Sequence, residues 1–147
     1  MDARIKGRQI LVHGLALVLF GLVWGLVVPQ TPFPRLALGA HIQFMTNGML
    51  FMVMALVLLG VPNNVGSRSA SIMLLAVYLT WLMGFSEVAN AWWGTNQILP
   101  LAAQQAGATG GTMWQEFALK FTHIGAGLAL IVAWALLISG FLKEPTL

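Results

Sequence analysis

The chain has no cysteine and very little charge. Its 147 residues include only 7% charged side chains against 59% hydrophobic ones, with a mean hydropathy of +0.84. The absence of cysteine excludes disulfide bonds, thiolate nucleophiles and thiolate metal ligands. A soluble domain carries about 25% charged residues, and a soluble fold of this size could not bury so much apolar surface. The composition therefore indicates a membrane protein.

Four apolar stretches follow one another along the chain, at about 10–28, 36–60, 69–93 and 115–141. Each approaches or exceeds the ~20 residues that a helix needs to cross the hydrocarbon core of a bilayer. Backbone polar groups in lipid must be paired within a helix or a closed barrel, and the strand-length alternation of a barrel is absent. We therefore predict an all-α integral membrane four-helix bundle, a single transmembrane domain over residues 1–147.

The basic residues are distributed unevenly between the two ends of this bundle. Four spans place both termini on one side, and that side carries Arg4, Lys6, Arg8, Arg68 and Lys143, whereas the other carries Arg35. Because cytoplasmic loops are enriched in Lys and Arg, we predict a bacterial-type inner (cytoplasmic) membrane protein with both termini in the cytoplasm. There is no basic patch beyond the N-terminus, so the net charge of +3 does not indicate nucleic-acid binding.

Glycines mark one face of the first helix and much of the longest loop. Gly14, Gly21 and Gly25 share one helical face, which is typical of close helix packing in lipid, either within the chain or between subunits. The loop from residue 94 to 112 contains Pro100 and several glycines, which exclude a fifth span. Loops of this length are usually functional lids or disordered segments.

The most informative polar residue is His41, at the head of the second apolar stretch. Ionisable groups inside a bilayer are rare and usually functional. His41 and Asn47 are six residues apart, which places them about 120° from each other on an ideal helix. They cannot both bind one small metal ion, but they can address neighbouring parts of a larger cofactor or pocket. An imidazole in an apolar bundle without cysteine is a natural axial ligand for haem iron.

The third and fourth spans carry further ionisable groups. Glu87 is a candidate general acid or base, or a counter-charge for Lys120 or His123; the alternative is an interfacial carboxylate. Glu116, Lys120 and His123 fall on one helical stripe, which fits either an interfacial ion pair beside a hydrogen-bonded histidine or a functional site. Lys120 is the only Lys or Arg well inside a span after the first helix, so it is a candidate for binding an anionic substrate.

A metal site shared by the three histidines is disfavoured. His13 lies near the cytoplasmic end of the first span, whereas His41 lies near the opposite end of the second. The predicted topology therefore places the two imidazoles on opposite sides of the membrane.

Several segments resemble one known family. The run from Pro34 to His41, followed by Met45-Thr46-Asn47-Gly48, is similar to the hydroxylaminobenzene mutases. The segments 99–103 and 111–116 match the same pattern, as does the His13-Gly14 region of the first helix, so the resemblance covers most of residues 10–141. These mutases are similar in turn to styrene oxide isomerase, another small four-span enzyme.

The resemblance implies a homotrimeric bundle that binds haem b and acts on a small aromatic substrate. His41 would bind the haem iron, and Asn47 would contact the substrate. The implied reaction rearranges an arylhydroxylamine to an aminophenol, a Bamberger-type isomerisation in which ferric haem acts as a Lewis acid. Lys120 and His123 are not part of the family pattern, and we interpret them as substrate-binding residues of a subfamily with an altered substrate, with Glu87 as a second catalytic residue.

Three alternatives stay open. A hydroxylaminobenzoate lyase would release ammonia from the rearranged product. A styrene-oxide-type epoxide isomerase is disfavoured because the tyrosine that the isomerase carries on helix three has no clear counterpart: Phe85, Ser86 and Glu87 occupy that region, and Tyr78 lies about two turns earlier. A small b-type cytochrome subunit would need a second histidine ligand, for which His123 is the candidate.

Overall fold

The computed structural model describes residues 2–142, and the part of the chain that it describes is helical with no strand. The helices are α1 (Ala3–Val27), α2 (Pro34–Gly60), α3 (Ser67–Trp93), α4 (Pro100–Ala106) and α5 (Met113–Leu142), with a 3₁₀ turn at Val28–Gln30. All but α4 are long and apolar enough to cross a membrane. The predicted all-α membrane bundle is therefore confirmed, and the protein is multi-pass. Lys143, counted above among the cytoplasmic cations, lies outside the described residues.

The first helix starts seven residues before the predicted boundary, at Ala3 instead of residue 10. Its polar first turns are stabilised by contacts that hydropathy does not report. Asp2 caps the helix by accepting a hydrogen bond from the Arg4 backbone, and the Lys6 ammonium donates to the Ser67 carbonyl at 2.8 Å and to the Ser71 hydroxyl. These contacts extend α1 beyond its apolar part, so the charged residues before residue 10 belong to the same helix as the apolar span.

The glycine face of α1 packs directly on α2 of the same chain. A Cβ atom on Gly14 would lie 2.9 Å from the Gly48 carbonyl oxygen, and one on Gly21 would lie 3.0 Å from Phe44. The two backbones thus approach as closely as small residues permit. Of the two interpretations of these glycines, packing within the chain is the one observed.

Helix α5 packs on α3 and leaves its other side open. Two hydrogen bonds join the pair within the membrane region: Ser86 to Thr122 at 2.7 Å, and Glu87 to His123. The uncovered side of α5 carries large apolar side chains that are more than half exposed: Phe117, Phe121, Ile124, Leu128 and Ile131. Such a face suits lipid or a second subunit.

The loop between α3 and α5 is held in place along its length. Its middle forms α4, a helix of seven residues that is too short to span, as predicted. The buried Glu116 carboxylate accepts hydrogen bonds from the backbone N–H groups of Asn96, Gln97 and Gly111. The Asn90 side chain accepts two more from Thr95. In the described structure this loop is therefore ordered by hydrogen bonds to α3 and α5.

Candidate functional site

Helix α2 carries the candidate site on two different faces. One stripe, at spacings of four and three, is buried in the core: Ala40, Phe44, Asn47 and Phe51. A second stripe lies against α1 and consists of His41, Met45, Gly48 and Met52. The predicted angle between His41 and Asn47 places them on these separate stripes. Within one chain His41 faces α1, whereas Asn47 is buried in the core.

His41 is held by the glycines of α1. Its Nδ1 lies 2.8 Å from the Gly21 carbonyl oxygen, which can only accept, so Nδ1 carries the proton. Among the described residues no hydrogen bond involves Nε2, and the side chain is half-buried. A Cβ atom on Gly25 would lie 2.9 Å from Nδ1, so only glycine leaves space for this ring. A histidine that donates one ring N–H to a backbone carbonyl and keeps the other nitrogen free has the arrangement typical of a metal-binding imidazole.

The other two histidines do not join His41. The indole N–H of Trp81 donates to His13 Nδ1 at 3.3 Å, between α3 and α1. His123 lies between α5 and α3. Within residues 2–142, no group of three or more His, Cys, Asp or Glu side chains could hold a metal ion.

Asn47 lies about 120° around the helix from His41, on the side of α2 that faces the core. It is buried, and its Nδ2 donates to the Gln43 side-chain oxygen at 2.9 Å. Gly39, Gln43 and Asn47 follow one another at a spacing of four, so they form one line along α2. From the sequence alone, no role was assigned to Gln43. Its position one turn before Asn47 in an apolar span is the sequence feature that could have indicated this hydrogen bond.

Glu87 pairs with His123 and not with Lys120. Its Oε1 lies 2.5 Å from His123 Nε2, and the side chain is only 1% exposed. The second oxygen, Oε2, is buried without a hydrogen-bond partner among the described residues. It lies 3.3 Å from the position that a Cβ on Gly39 would occupy. Glu87 is therefore buried inside the bundle, where it pairs with His123.

Lys120 belongs to the outer surface of α5. Its ammonium donates to the Gln97 side chain at 2.9 Å, while Glu116 accepts hydrogen bonds from the loop backbone. The two residues share a stripe, as predicted, but each is hydrogen-bonded to the loop. Lys120 stands at the rim of an apolar groove of about 330 Å³ between Phe117, Phe121 and the residues of the next turn.

Residues 6–142 match the sequence profile of the family described as styrene oxide isomerase. The chain belongs to this family. It is also similar to hydroxylaminobenzene mutase HabB of Ectopseudomonas oleovorans, with 31% identity over 94% of this chain and 82% of HabB. Hydroxylaminobenzene mutase HabA of the same organism is 30% identical over 88% of this chain and 94% of HabA. No solved structure matches the chain.

The resemblance drawn from the sequence motifs is thus confirmed, and this member of the styrene oxide isomerase family is an enzyme of the isomerase class. The cytochrome alternative has little support from its histidines. Both ring nitrogens of His123 are engaged, Nδ1 with the Leu119 carbonyl and Nε2 with Glu87. His123 would have to give up these contacts to become a second axial ligand.

Proposed function

We propose that this membrane enzyme rearranges arylhydroxylamines to aminophenols. The observation that carries the proposal is the similarity over nearly the whole chain to two proteins named hydroxylaminobenzene mutase. In this isomerisation the hydroxyl group moves from nitrogen to a ring carbon, and a proton is lost from that carbon and gained by nitrogen. The reaction needs no oxidant or reductant. An apolar site suits it, because stray water would divert a cationic intermediate.

We further propose that the enzyme uses haem b and that His41 holds it. The support is the free Nε2 of an imidazole whose other nitrogen is fixed by Gly21, in a position that Gly25 keeps clear. When bound, ferric haem supplies a Lewis acid that polarises the N–O bond of the substrate.

The remaining site residues act on the substrate itself in this proposal. The Asn47 amide, fixed by Gln43, orients the leaving oxygen by hydrogen bonding. Lys120, at the rim of its apolar groove, binds an anionic substituent of the substrate, such as a carboxylate. Phenylhydroxylamine and hydroxylaminobenzoate are the small aromatic substrates that distinguish these roles.

A homotrimer with both termini in the cytoplasm completes the proposal. The uncovered apolar face of α5 offers a surface for subunit contact. The described cations Arg4, Lys6, Arg8 and Arg68 stand at the end of the bundle where α1 and α3 begin. Cross-linking or native mass spectrometry of the detergent-solubilised protein measures the subunit number directly.

The first test is a product assay on the purified protein with phenylhydroxylamine. We expect aminophenol and a Soret absorption band, and we expect both to disappear in His41→Ala. His13→Ala is the matched control, since it removes a half-buried imidazole that contacts Trp81 instead of Gly21, and it should keep both. Active protein without haem or iron would refute the cofactor, and release of ammonia in place of aminophenol would indicate a lyase.

Epoxide isomerisation is the second candidate, favoured by the description of the family that the chain matches. The single tyrosine does not support it. Tyr78 is 46% exposed and packs its ring at nearly a right angle on the His13 ring. Formation of phenylacetaldehyde from styrene oxide at a rate comparable with hydroxylamine rearrangement would establish this activity.

A further inference from the structure

Glu87 and His123 share a single proton inside the bundle. His123 Nδ1 lies 2.8 Å from the Leu119 carbonyl oxygen, which can only accept, so Nδ1 carries a hydrogen. Between Nε2 and Glu87 Oε1 there is then one proton, either on the imidazole or on the carboxyl group. Both arrangements have no net charge. This neutrality explains how a carboxyl group can be 1% exposed among apolar helices.

The pair leaves one acceptor unused. Glu87 Oε2 is buried and has no hydrogen-bond partner among residues 2–142, although an unpaired buried oxygen costs free energy. It faces Gly39, the first residue of the line that continues through Gln43 to Asn47. The unused acceptor therefore lies beside the start of this line, and the candidate substrate-orienting amide lies about two turns further along α2.

We propose that the Glu87–His123 pair is the proton carrier of the rearrangement, with Glu87 Oε2 as the atom that meets the substrate. This inference rests on the proposed function. Moving the hydroxyl from nitrogen to the ring breaks the N–O bond and forms a C–O bond. The ring carbon must then lose its hydrogen as a proton, and nitrogen must gain one. Glu87 takes the proton from the ring carbon and returns a proton to nitrogen, so atoms and charge balance without any co-reactant.

His123 is a positioning residue in this scheme. It holds Glu87 through Oε1 and shares the proton, so the carboxyl group can accept or donate without a large change in charge. Gly39 keeps the approach to Oε2 clear, since a methyl group there would lie 3.3 Å from that oxygen. The substrate N–H or O–H supplies the donor that Oε2 lacks in the free protein.

A neighbouring contact provides the control for a purely structural role. Ser86 and Thr122 form a hydrogen bond in the same α3–α5 contact, one residue from Glu87 and His123. It joins the same two helices but carries no readily transferable proton. A structural role for Glu87 predicts that loss of either contact has similar consequences.

The kinetic test compares Glu87→Gln with Ser86→Ala in the full-length protein in detergent, with phenylhydroxylamine. We expect Glu87→Gln to lower kcat by about 10²-fold or more while KM and cofactor content change little, because proton transfer by a positioned group contributes about 10²–10⁴-fold. Ser86→Ala should keep kcat within about threefold of the wild type. Gly39→Ala should lower kcat/KM by crowding Oε2. Near-wild-type kcat in Glu87→Gln, or equal losses in both α3–α5 variants, would overturn the proposal.

A measurement without substrate separates this inference from the proposed function. We expect an infrared carboxyl band that is lost in Glu87→Gln and shifted in His123→Gln, because the two side chains share one proton. No shift in His123→Gln would overturn the shared proton and with it the carrier. If His123→Gln shifts the band but the wild-type protein rearranges no arylhydroxylamine, the proposed function and the catalytic role are refuted, while the shared proton stays established.

Discussion

At the scale of single residues, the candidate site depends on backbone groups and small side chains more than on its neighbouring ionisable groups. His41 is fixed by a carbonyl oxygen of α1, His123 by one of its own helix, and Glu116 by three loop N–H groups. In an apolar environment each such bond replaces the water that a polar group would otherwise need. Glycine helps determine where these groups fit, because a Cβ would clash with His41 at Gly25 and would crowd Glu87 at Gly39.

Gly25→Ala tests whether the His41 ring requires a glycine beside it. The added methyl would lie 2.9 Å from Nδ1 and 3.0 Å from Cε1, so the ring has to move and its bond to Gly21 is lost or weakened. We expect a loss of about 1–3 kcal/mol in stability from overpacking. If His41 binds haem, affinity should fall roughly 10–100-fold, as for other losses of an orienting partner.

Gly127→Ala is the matched control for this variant, since a Cβ there has no atom within 4 Å in the described structure. It should be neutral or stabilising by about 0.5–1 kcal/mol, because alanine favours a helix over glycine. Unchanged stability and haem content in Gly25→Ala would contradict the role assigned to this glycine.

At the scale of elements, hydropathy predicted the four spans and the spacing of six predicted the angle between His41 and Asn47. Both predictions depend only on residues that are close together in the sequence. Hydropathy did not predict that α1 begins at Ala3, since Lys6 is satisfied by serines of α3 about sixty positions away. The spacing of residues also does not predict which neighbouring helix each face contacts. The sequence therefore left both Lys120 and His123 as partners for Glu87, and the tertiary structure identifies His123.

The loop between α3 and α5 gives a prediction at the same scale. Glu116→Gln replaces one carboxylate oxygen by an amide that donates, so at least one of the three backbone N–H groups loses its acceptor. We expect a cost of about 1–3 kcal/mol and faster hydrogen exchange across residues 95–111. Lys120→Gln, which removes only an exposed contact to Gln97, should change exchange in this loop much less. Slow exchange in Glu116→Gln would mean that other contacts hold the loop.

At the scale of the whole molecule, the two ends of the bundle differ in charge and in construction. The end that contains the start of α1 and the turn between α2 and α3 carries most of the described cations, whereas the other end carries Arg35 and the hydrogen-bonded loop with α4. Positive charge is retained on the cytoplasmic side during membrane insertion. We therefore predict one favoured orientation, in which the loop with α4 faces away from the cytoplasm.

The orientation is testable because the chain contains no cysteine, so any introduced thiol is the only one present. Pro62→Cys places a thiol in the exposed turn between α2 and α3, and Thr109→Cys places one in the exposed loop before α5. With a membrane-impermeant maleimide on intact spheroplasts, we expect labelling at position 109 and not at position 62. Both positions should react once the membrane is permeabilised, which controls for accessibility. Labelling of position 62 alone in intact spheroplasts would show the opposite topology. The prediction from the distribution of Lys and Arg would then be wrong.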